Sequence, residues 1–475
     1  MPLRAGGATR AILGGGDSRA WIGDRGTHKA IVMIDIRIVR ETPDLVRQAC
    51  ERKRMPCNVD QVLEVDARRR ALETEFNTLR HEQKLGGERI AKASKEERAA
   101  LTSEMTRIKT RVKEIEEQLQ AVDAVLQQLL LLLPQIPSPD APVGASAADN
   151  IEVKRVGVPR PREEFGFPFK DHVELGQALH LYDFDRGVKL AGSRNYVLTG
   201  LGSELHEAVL RLAWDLMTQS AHEPPGRTGE RRAFTPLTVP VLVNDRLMYG
   251  TGFFPLHREE VYLVERDGQS LVGTAEVPVT ALHMDEVLED AELPKLYFAR
   301  STCFRREAGA AGKDTRGLYR IHFFDKIEQV VICRADATEA AHWHRVIIEN
   351  AEKLLQALEL PYRLLEVCTG DMGQGKFRMF DIETWMPSRG AYGETHSASN
   401  LHDFQARRLG LRYRDANGKV QFCYTLNNTV VASPRILIPL IELNQQADGS
   451  VRLPRALQPY LRNLRELWAG DTAQR

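Results

Sequence analysis

The segment "FRREAGAAGKDTRGLYRIHFFDKIE" at residues 304–328 carries more charge than a strand or a turn needs. Its flanks read as strands and its centre as a Gly-rich turn, so it is predicted to be a β-hairpin with charge at its base. Arg305 and Glu307, two apart on a strand, would point to the same face. A guanidinium there can grip an α-phosphate with its two-pronged fork. Glu307 can accept a hydrogen bond from an amino group of a base, and Phe324 offers a flat face for stacking. Taken alone, the segment reads better as a salt-bridged hairpin without a ligand. Positive charge beside a flexible loop suggests a large anionic one.

Three further stretches carry groups suited to the same ligand. "GTAEVPVTALH" at 273–283 places Thr274 and Glu276 just after a strand. "GETHSASNLHDFQARR" at 393–408 supplies Glu394 and Ser397, hard oxygen donors suited to Mg2+ on phosphates. "LNNTVVASPRILIPLIE" at 426–442 ends an apolar strand and runs through Arg435 into an apolar helix, whose dipole adds to a phosphate site. Other motifs are excluded. No GxxxxGKS phosphate loop occurs, and "GGG" at 14–16 opens no helix pattern. "KASK" at 92–95 resembles the lysine loop of class I synthetases but has no HIGH partner, so it is a coincidence. "HWH" at 342–344 lies in a helical run, where residues two apart do not share a face; a surface position is expected rather than a metal site.

The elements that must position these groups follow from periodicity. Leu101, Met105, Ile108, Val112, Ile115, Leu119, Val122, Leu126 and Leu129 step by four and three, the seam of a coiled coil. Val65, Leu72 and Leu79 form an earlier seam, with Gly86 and Gly87 between the two available to break the helix. Residues 33–137 are therefore expected to fold as an antiparallel helical hairpin. Such an arm serves as a dimerisation element, a spacer or a nucleic-acid contact. From 51 to 113, sixteen Lys/Arg against eleven Asp/Glu leave a surplus of five, which suits phosphate contact or a solvated face. Prolines 134, 137, 139 and 142 end the arm and make 138–150 a linker. Beyond it, at 151–475, strand runs mix with helices near 203–220 and 337–358, an α+β pattern of antiparallel sheet and flanking helices.

The remaining bounds are broad. At 475 residues the chain is expected to hold more than one domain. Six scattered cysteines without a CxxC argue against a disulfide scaffold and fit a reducing cytosol. With formal net charge zero, nucleic-acid binding must come from local patches. No run of eighteen apolar residues exists to cross a membrane. Residues 1–32 are Gly- and Arg-rich; either translation starts at Met33 or they form a disordered tail.

The order of helical arm, Pro-rich linker, "TAEVPVT", the 304–328 segment, "GETHSASNLHDFQARR" and "NNTVVASPR" resembles bacterial-type seryl-tRNA synthetase over nearly the whole chain beyond residue 32. "GERRAFTPLTVPVLV" at 229–243, with Pro240, resembles the class II dimer motif. The resemblance implies the class II antiparallel sheet, a homodimer, ATP and Mg2+, L-serine, tRNA(Ser) and, by the family's habit, tRNA(Sec). It implies that Arg305, Arg306, Glu307, Ile321, Phe324, Glu394, Thr395, His396, Ser397 and Arg435 hold ATP. Thr274, Ala275, Glu276, Arg305, Glu328 and Thr429 would hold serine, and Glu394 with Ser397 the metal. Arg305, Arg435 and Glu328 are the implied catalytic groups, and the arm would read the long variable arm of the tRNA by shape.

Chemistry agrees with that assignment. A pocket ending in a carboxylate and a threonine hydroxyl is left unpaired when alanine binds, which rejects it strongly. Two positions depart from the commoner pattern, Asn428 in place of Gly and Phe323 in place of Gln, and both are expected near the pocket. A paralogue acting on a carrier protein would generally lack the arm. A non-catalytic relative would be expected to lose Arg305, Glu328 or Arg435; all three are present.

Overall fold

A computed structural model describes residues 34–310, 314 and 316–469. The expected extension at 1–32 lies outside the described residues. After two short helices, Ile36–Glu41 and Pro43–Arg52, come the two long helices of the arm, α1 (Val59–Lys92) and α2 (Lys95–Leu132). Leu72, Ile115 and Val122 are buried between them, with Val65, Phe76, Leu79 and Leu119 packed alongside, as the seam requires. Arg69–Asp123 at 2.6 Å, Arg80–Glu116 at 2.7 Å and Arg111–Glu75 at 2.8 Å clamp the two helices across their flanks.

The break does not fall at Gly86–Gly87. α1 runs through both, and the turn comes at Ala93–Ser94. There Ser94 and Glu97 cap α2 reciprocally: the Ser94 amide donates to Glu97 Oε2 at 3.1 Å, and the Glu97 amide to Ser94 Oγ at 3.4 Å. Satisfying the orphan amides of a helix start fixes the corner more firmly than permissive glycines do. Gly86 serves packing instead, because a Cβ there would lie 2.2 Å from Met105 Sδ on the opposing helix.

Two other expectations are corrected. Cys50 and Cys57 form a disulfide, because Arg54 at φ 56° turns the chain back and the Met55 amide donates to the Cys50 carbonyl. The other four cysteines are free and buried. In "HWH", Trp343 and His344 are buried rather than on the surface, and the His344 ring N–H donates to the Ala398 carbonyl at 3.1 Å.

The second half of the chain is organised by one eight-stranded sheet. Its strands are β1 (Ile151–Val156), β2 (Thr235–Leu237), β3 (Lys295–Phe304), β4 (Phe323–Cys333), β5 (Tyr362–Glu366), β6 (Arg378–Met386), β7 (Ala391–His402) and β8 (Tyr424–Ser433). Their order across the sheet is β1-β5-β6-β7-β8-β4-β3-β2, antiparallel throughout except for the β3–β2 pair. Helices α3 (Leu201–Thr218) and α4 (Ala337–Ala357) cover one face, over a core that includes Phe298, Ile327, Val331, Trp343 and Val431. Alternation along β4 sends Ile327, Gln329 and Val331 toward α4, where Gln329 donates to the Ile347 carbonyl at 2.8 Å. Lys326 and Glu328 therefore point to the opposite face. A bulge between Ile327 and Glu328 pairs Glu328 with Thr429 and passes over Val430.

Residues 133–150 do not swing free. The Gln135 and Ser138 amides donate to the Gln374 and Phe377 carbonyls at 3.0 and 2.8 Å, and the Thr369 and Gly370 amides donate back to Pro142 and Gly144. None of the helices described is long and apolar enough to cross a membrane.

Candidate active site

The uncovered face of the sheet forms the floor of a cavity of about 560 Å³. Strands β4, β7 and β8 supply Phe324, Lys326, Glu328, Glu394, Ser397, Ser399, Asn427 and Thr429. The β3–β4 connection, residues 305–322, forms one wall and the segment 253–276 another. Glu260 joins these walls: its carboxylate accepts from the Ala308 and Gly309 amides at 3.0 and 2.8 Å, and its carbonyl accepts from the Arg306 amide.

At one end lies a small polar pocket. Thr429 Oγ donates to Glu328 Oε2 at 3.2 Å, and Lys326 pairs with the same carboxylate while reaching Thr429 Oγ at 3.4 Å. Glu328 is 1% exposed; burial pushes its carboxyl up, against the pull of the Lys326 ammonium. Glu276 completes this end, held by Gln405, whose amide donates to it at 2.7 Å. Thr274 Oγ accepts from the Glu276 amide. Asn427 Nδ2 is buried in the wall without a hydrogen-bond partner.

The other end carries arginine and aromatic groups. Arg305 lies 5.2 Å from the Phe324 ring centroid and donates weakly, at 3.4 Å, to the Gly273 carbonyl. Arg435 donates to the Tyr319 and Glu394 carbonyls, each at 3.1 Å, and lies 4.6 Å from the Tyr319 ring centroid. Among the described residues neither guanidinium meets a carboxylate, so both can receive an anion. Glu307 is paired with Arg320 at 3.2 Å.

Between the two ends stand Glu394 and Ser397. Beneath them Asp381 pairs in register with Ser397, and its Oδ1 has no hydrogen-bond partner. Burial and the neighbouring Glu394 push the Asp381 carboxyl up. Hard oxygens around an unsatisfied buried carboxylate fit a divalent cation.

Most of the residues expected from sequence converge here, with corrections. Arg305 and Glu307 both line the cavity but lie past the end of β3, and Glu307 takes a left-handed φ of 52°. The turned backbone, not strand alternation, aims them together. Arg306 is exposed and outside the cavity. The Ala275 methyl lies in an apolar cluster with Val279 and Leu288, away from the cavity. Thr395 and His396 are buried in the wall with their side chains directed inward, Thr395 to Thr384 and His396 to the Val430 carbonyl. Ile321 is a buried wall residue. Neither departure touches the cavity. Phe323 stacks on Tyr196 at 4.8 Å, and Asn428 donates to the Ser397 carbonyl from behind. Sequence reasoning missed Lys326, Lys376, Asn427 and Gln405. The alternation of β4 and β8 could have found Lys326 and Asn427.

One look-alike is set aside. Ser433, His206 and Asp325 form a row at 2.9 and 3.1 Å, but Ser433 is fully buried, and Arg300 already neutralises Asp325 and Glu207. That row holds no open nucleophile. It ties α3 to β4, which bears Phe324, and to the end of β8, just before Arg435.

An antiparallel sheet with arginines and carboxylates on its open face and helices on the other is the core of a class II aminoacyl-tRNA synthetase. The family model "tRNA synthetase class II core domain (G, H, P, S and T)" matches residues 262–444, and "Seryl-tRNA synthetase N-terminal domain" matches 33–137. The chain is 46% identical over 431 residues to the serine–tRNA ligase of Deinococcus radiodurans, covering 90% of this chain and 97% of that protein. It is 41% identical over 432 residues to that of Symbiobacterium thermophilum, covering 90% and 99%. The solved seryl-tRNA synthetase of Pyrococcus horikoshii, complexed with ATP, superimposes with a TM-score of 0.82 at 35% identity, covering 92% of this chain and 99% of that one. The chain belongs to the seryl-tRNA synthetase family.

Proposed function

We propose that this cavity activates L-serine with ATP and passes the seryl group to tRNA(Ser). The observation that carries the reading is the joining, in one cavity, of a buried carboxylate–hydroxyl pair, Glu328 and Thr429, with two arginines, Arg305 and Arg435, that no carboxylate among the described residues neutralises. The pair recognises a small hydroxyl, and the arginines take phosphates.

In the first step a serine carboxylate oxygen attacks the α-phosphorus, the bond to the bridging oxygen breaks, and pyrophosphate leaves. No general base is needed, because the nucleophile is already an anion. Arg305 holds the α-phosphate, Phe324 stacks under adenine, Arg435 lies over it, and Glu307 accepts from its amino group. Rate comes from positioning and from charge neutralisation. Glu394 and Ser397 would hold Mg2+, which supplies further neutralisation of the phosphates. In the second step a ribose hydroxyl at the tRNA 3′ end attacks the seryl carbonyl and AMP leaves.

The arm is the tRNA contact in this reading. Arg69, Arg80 and Arg111 are occupied by ion pairs across the hairpin. Lys84, Arg89, Lys92 and Lys95 near its tip are exposed and have no such partner among the described residues, which suits a phosphate backbone. A homodimer, tRNA(Sec) as a second acceptor and a cytoplasmic location complete the proposal; the family resemblance supports them. The test is exchange of labelled pyrophosphate into ATP, run in parallel with serine, threonine, alanine and glycine. Exchange with serine alone is expected. A folded protein that gives none with serine would refute the reading.

A further inference from the structure

The cavity wall contains a third cation without a carboxylate partner among the described residues, and the residue that fixes it lies in the helical N-terminal region. Lys376 lines the cavity, and its ammonium has no hydrogen bond or ion pair among the described residues. It therefore joins Arg305 and Arg435 as a charge available to a ligand, whereas Lys326 and Arg320 are taken by Glu328 and Glu307.

Beneath it, Lys53 reaches across from the N-terminal region and is 3% exposed. Its ammonium donates to the carbonyls of Gly373 at 3.1 Å, Gln374 at 3.0 Å and Lys376 itself. An ammonium has three N–H groups, and all three are used on this one loop. Burying that charge costs several kcal/mol in an apolar setting, so a contact needed only for docking would be better made by apolar side chains. The apolar residues Val39, Val46 and Val59 pack instead among the N-terminal helices themselves. Gln374 strengthens the attachment by donating to the Leu131 and Leu133 carbonyls at 2.8 and 3.3 Å. The loop that carries Lys376 is thus held from the N-terminal region. Burial, with the like charge of Lys376 added to it, pushes the Lys53 ammonium down from its ordinary value.

We propose that Lys376 is a third substrate-facing cation of the cavity, taking an oxyanion of the reactants or of the incoming RNA end, and that Lys53 is its positioning residue. This rests on the reading of the cavity as the site of seryl-adenylate formation and transfer.

The test measures serine-dependent pyrophosphate exchange and single-turnover transfer to tRNA, per titrated active site, for wild type, K53M, K53R, K376M and K53M/K376M. K53M and K376M should slow the same step by a similar factor, about tenfold for one charge-assisted contact. The double variant should be no slower than the slower single, and K53R should recover most of the rate. A fall in exchange identifies a carboxylate or phosphate of the small substrates. A fall confined to transfer identifies a phosphate of the RNA. Wild-type rates for K53M in both assays, or factors that multiply in the double variant, overturn the proposal. If K53M does not fold, Q374A takes its place: it should slow the same step without adding to K376M, and wild-type rates for Q374A overturn the proposal. Absence of exchange from the wild-type enzyme would instead sink the reading of the cavity itself.

Discussion

Replacing Glu328 by glutamine should do two separable things. Glu328 and Lys326 form an ion pair whose side chains are 1% and 6% exposed, and the ammonium's other neighbour is Thr429 Oγ at 3.4 Å. E328Q keeps the shape but leaves the ammonium buried without a counter-charge. Removing one partner of such a pair costs about 3–5 kcal/mol. With a urea dependence of about 3 kcal/mol per molar, the unfolding midpoint should fall by at least about 1 M. Replacing both residues, as K326M/E328L, removes the stranded charge together with the carboxylate and should restore the midpoint to near wild type. Activity should behave differently. E328Q replaces the charged acceptor of the serine hydroxyl by a neutral amide oxygen and K326M/E328L removes it, so serine-dependent pyrophosphate exchange should fall in both, by about 10- to 100-fold on the scale of a buried hydrogen bond to charge. Urea unfolding and exchange assays on the same preparations separate the two effects. The reasoning is refuted if E328Q unfolds at the wild-type midpoint, or if the double variant regains exchange along with stability.

Three other perturbations test the scaffold. Gly202→Ala would place a Cβ 1.9 Å from the Leu181 carbonyl oxygen, a contact no rotamer can relieve, so thermal unfolding should show a loss of about 2 kcal/mol or more. Ile115→Ala empties a fully buried seam position and should cost about 3 kcal/mol locally. tRNA charging should fall while pyrophosphate exchange persists; an equal loss of both would refute a role confined to the arm. His344 is pushed down to about 4 by burial, below its ordinary 6.5. The folded state then stays neutral while the unfolded chain takes up a proton. The stability this gives is complete above about pH 6.5 and is lost as pH falls toward 4. H344Q should flatten the stability-against-pH slope between pH 6 and 4.5 by about 1.4 kcal/mol per unit in urea titrations.

Much of the architecture was legible because its signals are periodic. The four-three seam from Leu101 to Leu129 locates the packed face of α2, and the hairpin around 305–322 follows from strand runs flanking a glycine-rich stretch. The misplaced helix break is instructive. Gly86 and Gly87 look like the corner, yet a capping pair, Ser94 with Glu97, stood in the sequence only a few residues on. Glycine merely permits a turn. A cap compensates the donors that a new helix leaves open, so where the two compete the cap decides. Cys50 and Cys57 escaped notice for the opposite reason: seven residues apart, they match no motif, and only the left-handed Arg54 brings them together.

The site was legible where its motifs resemble those of a known family and illegible where charge is buried by distant backbone. Glu328 and Thr429 were brought to one pocket by the resemblance of their motifs to the family's, and the fold sets them opposite each other on neighbouring strands. Lys53 sits in "ERKRMP", a run that reads as a solvated basic turn, and its three acceptors are carbonyls more than three hundred positions away. A carbonyl has no letter in the sequence, so a cation satisfied by backbone looks the same as one satisfied by water. The same holds for Arg408, whose guanidinium is buried against the Leu131 and Tyr249 carbonyls and pushed down to about 9 by burial. Both cations lie where the N-terminal helices meet the sheet domain. Their desolvation is costly and is offset only when the opposing carbonyls are in register, which an apolar contact does not require. A junction built on them therefore favours one placement of the helices against the cavity wall, and through residues 373–377 that placement reaches Lys376.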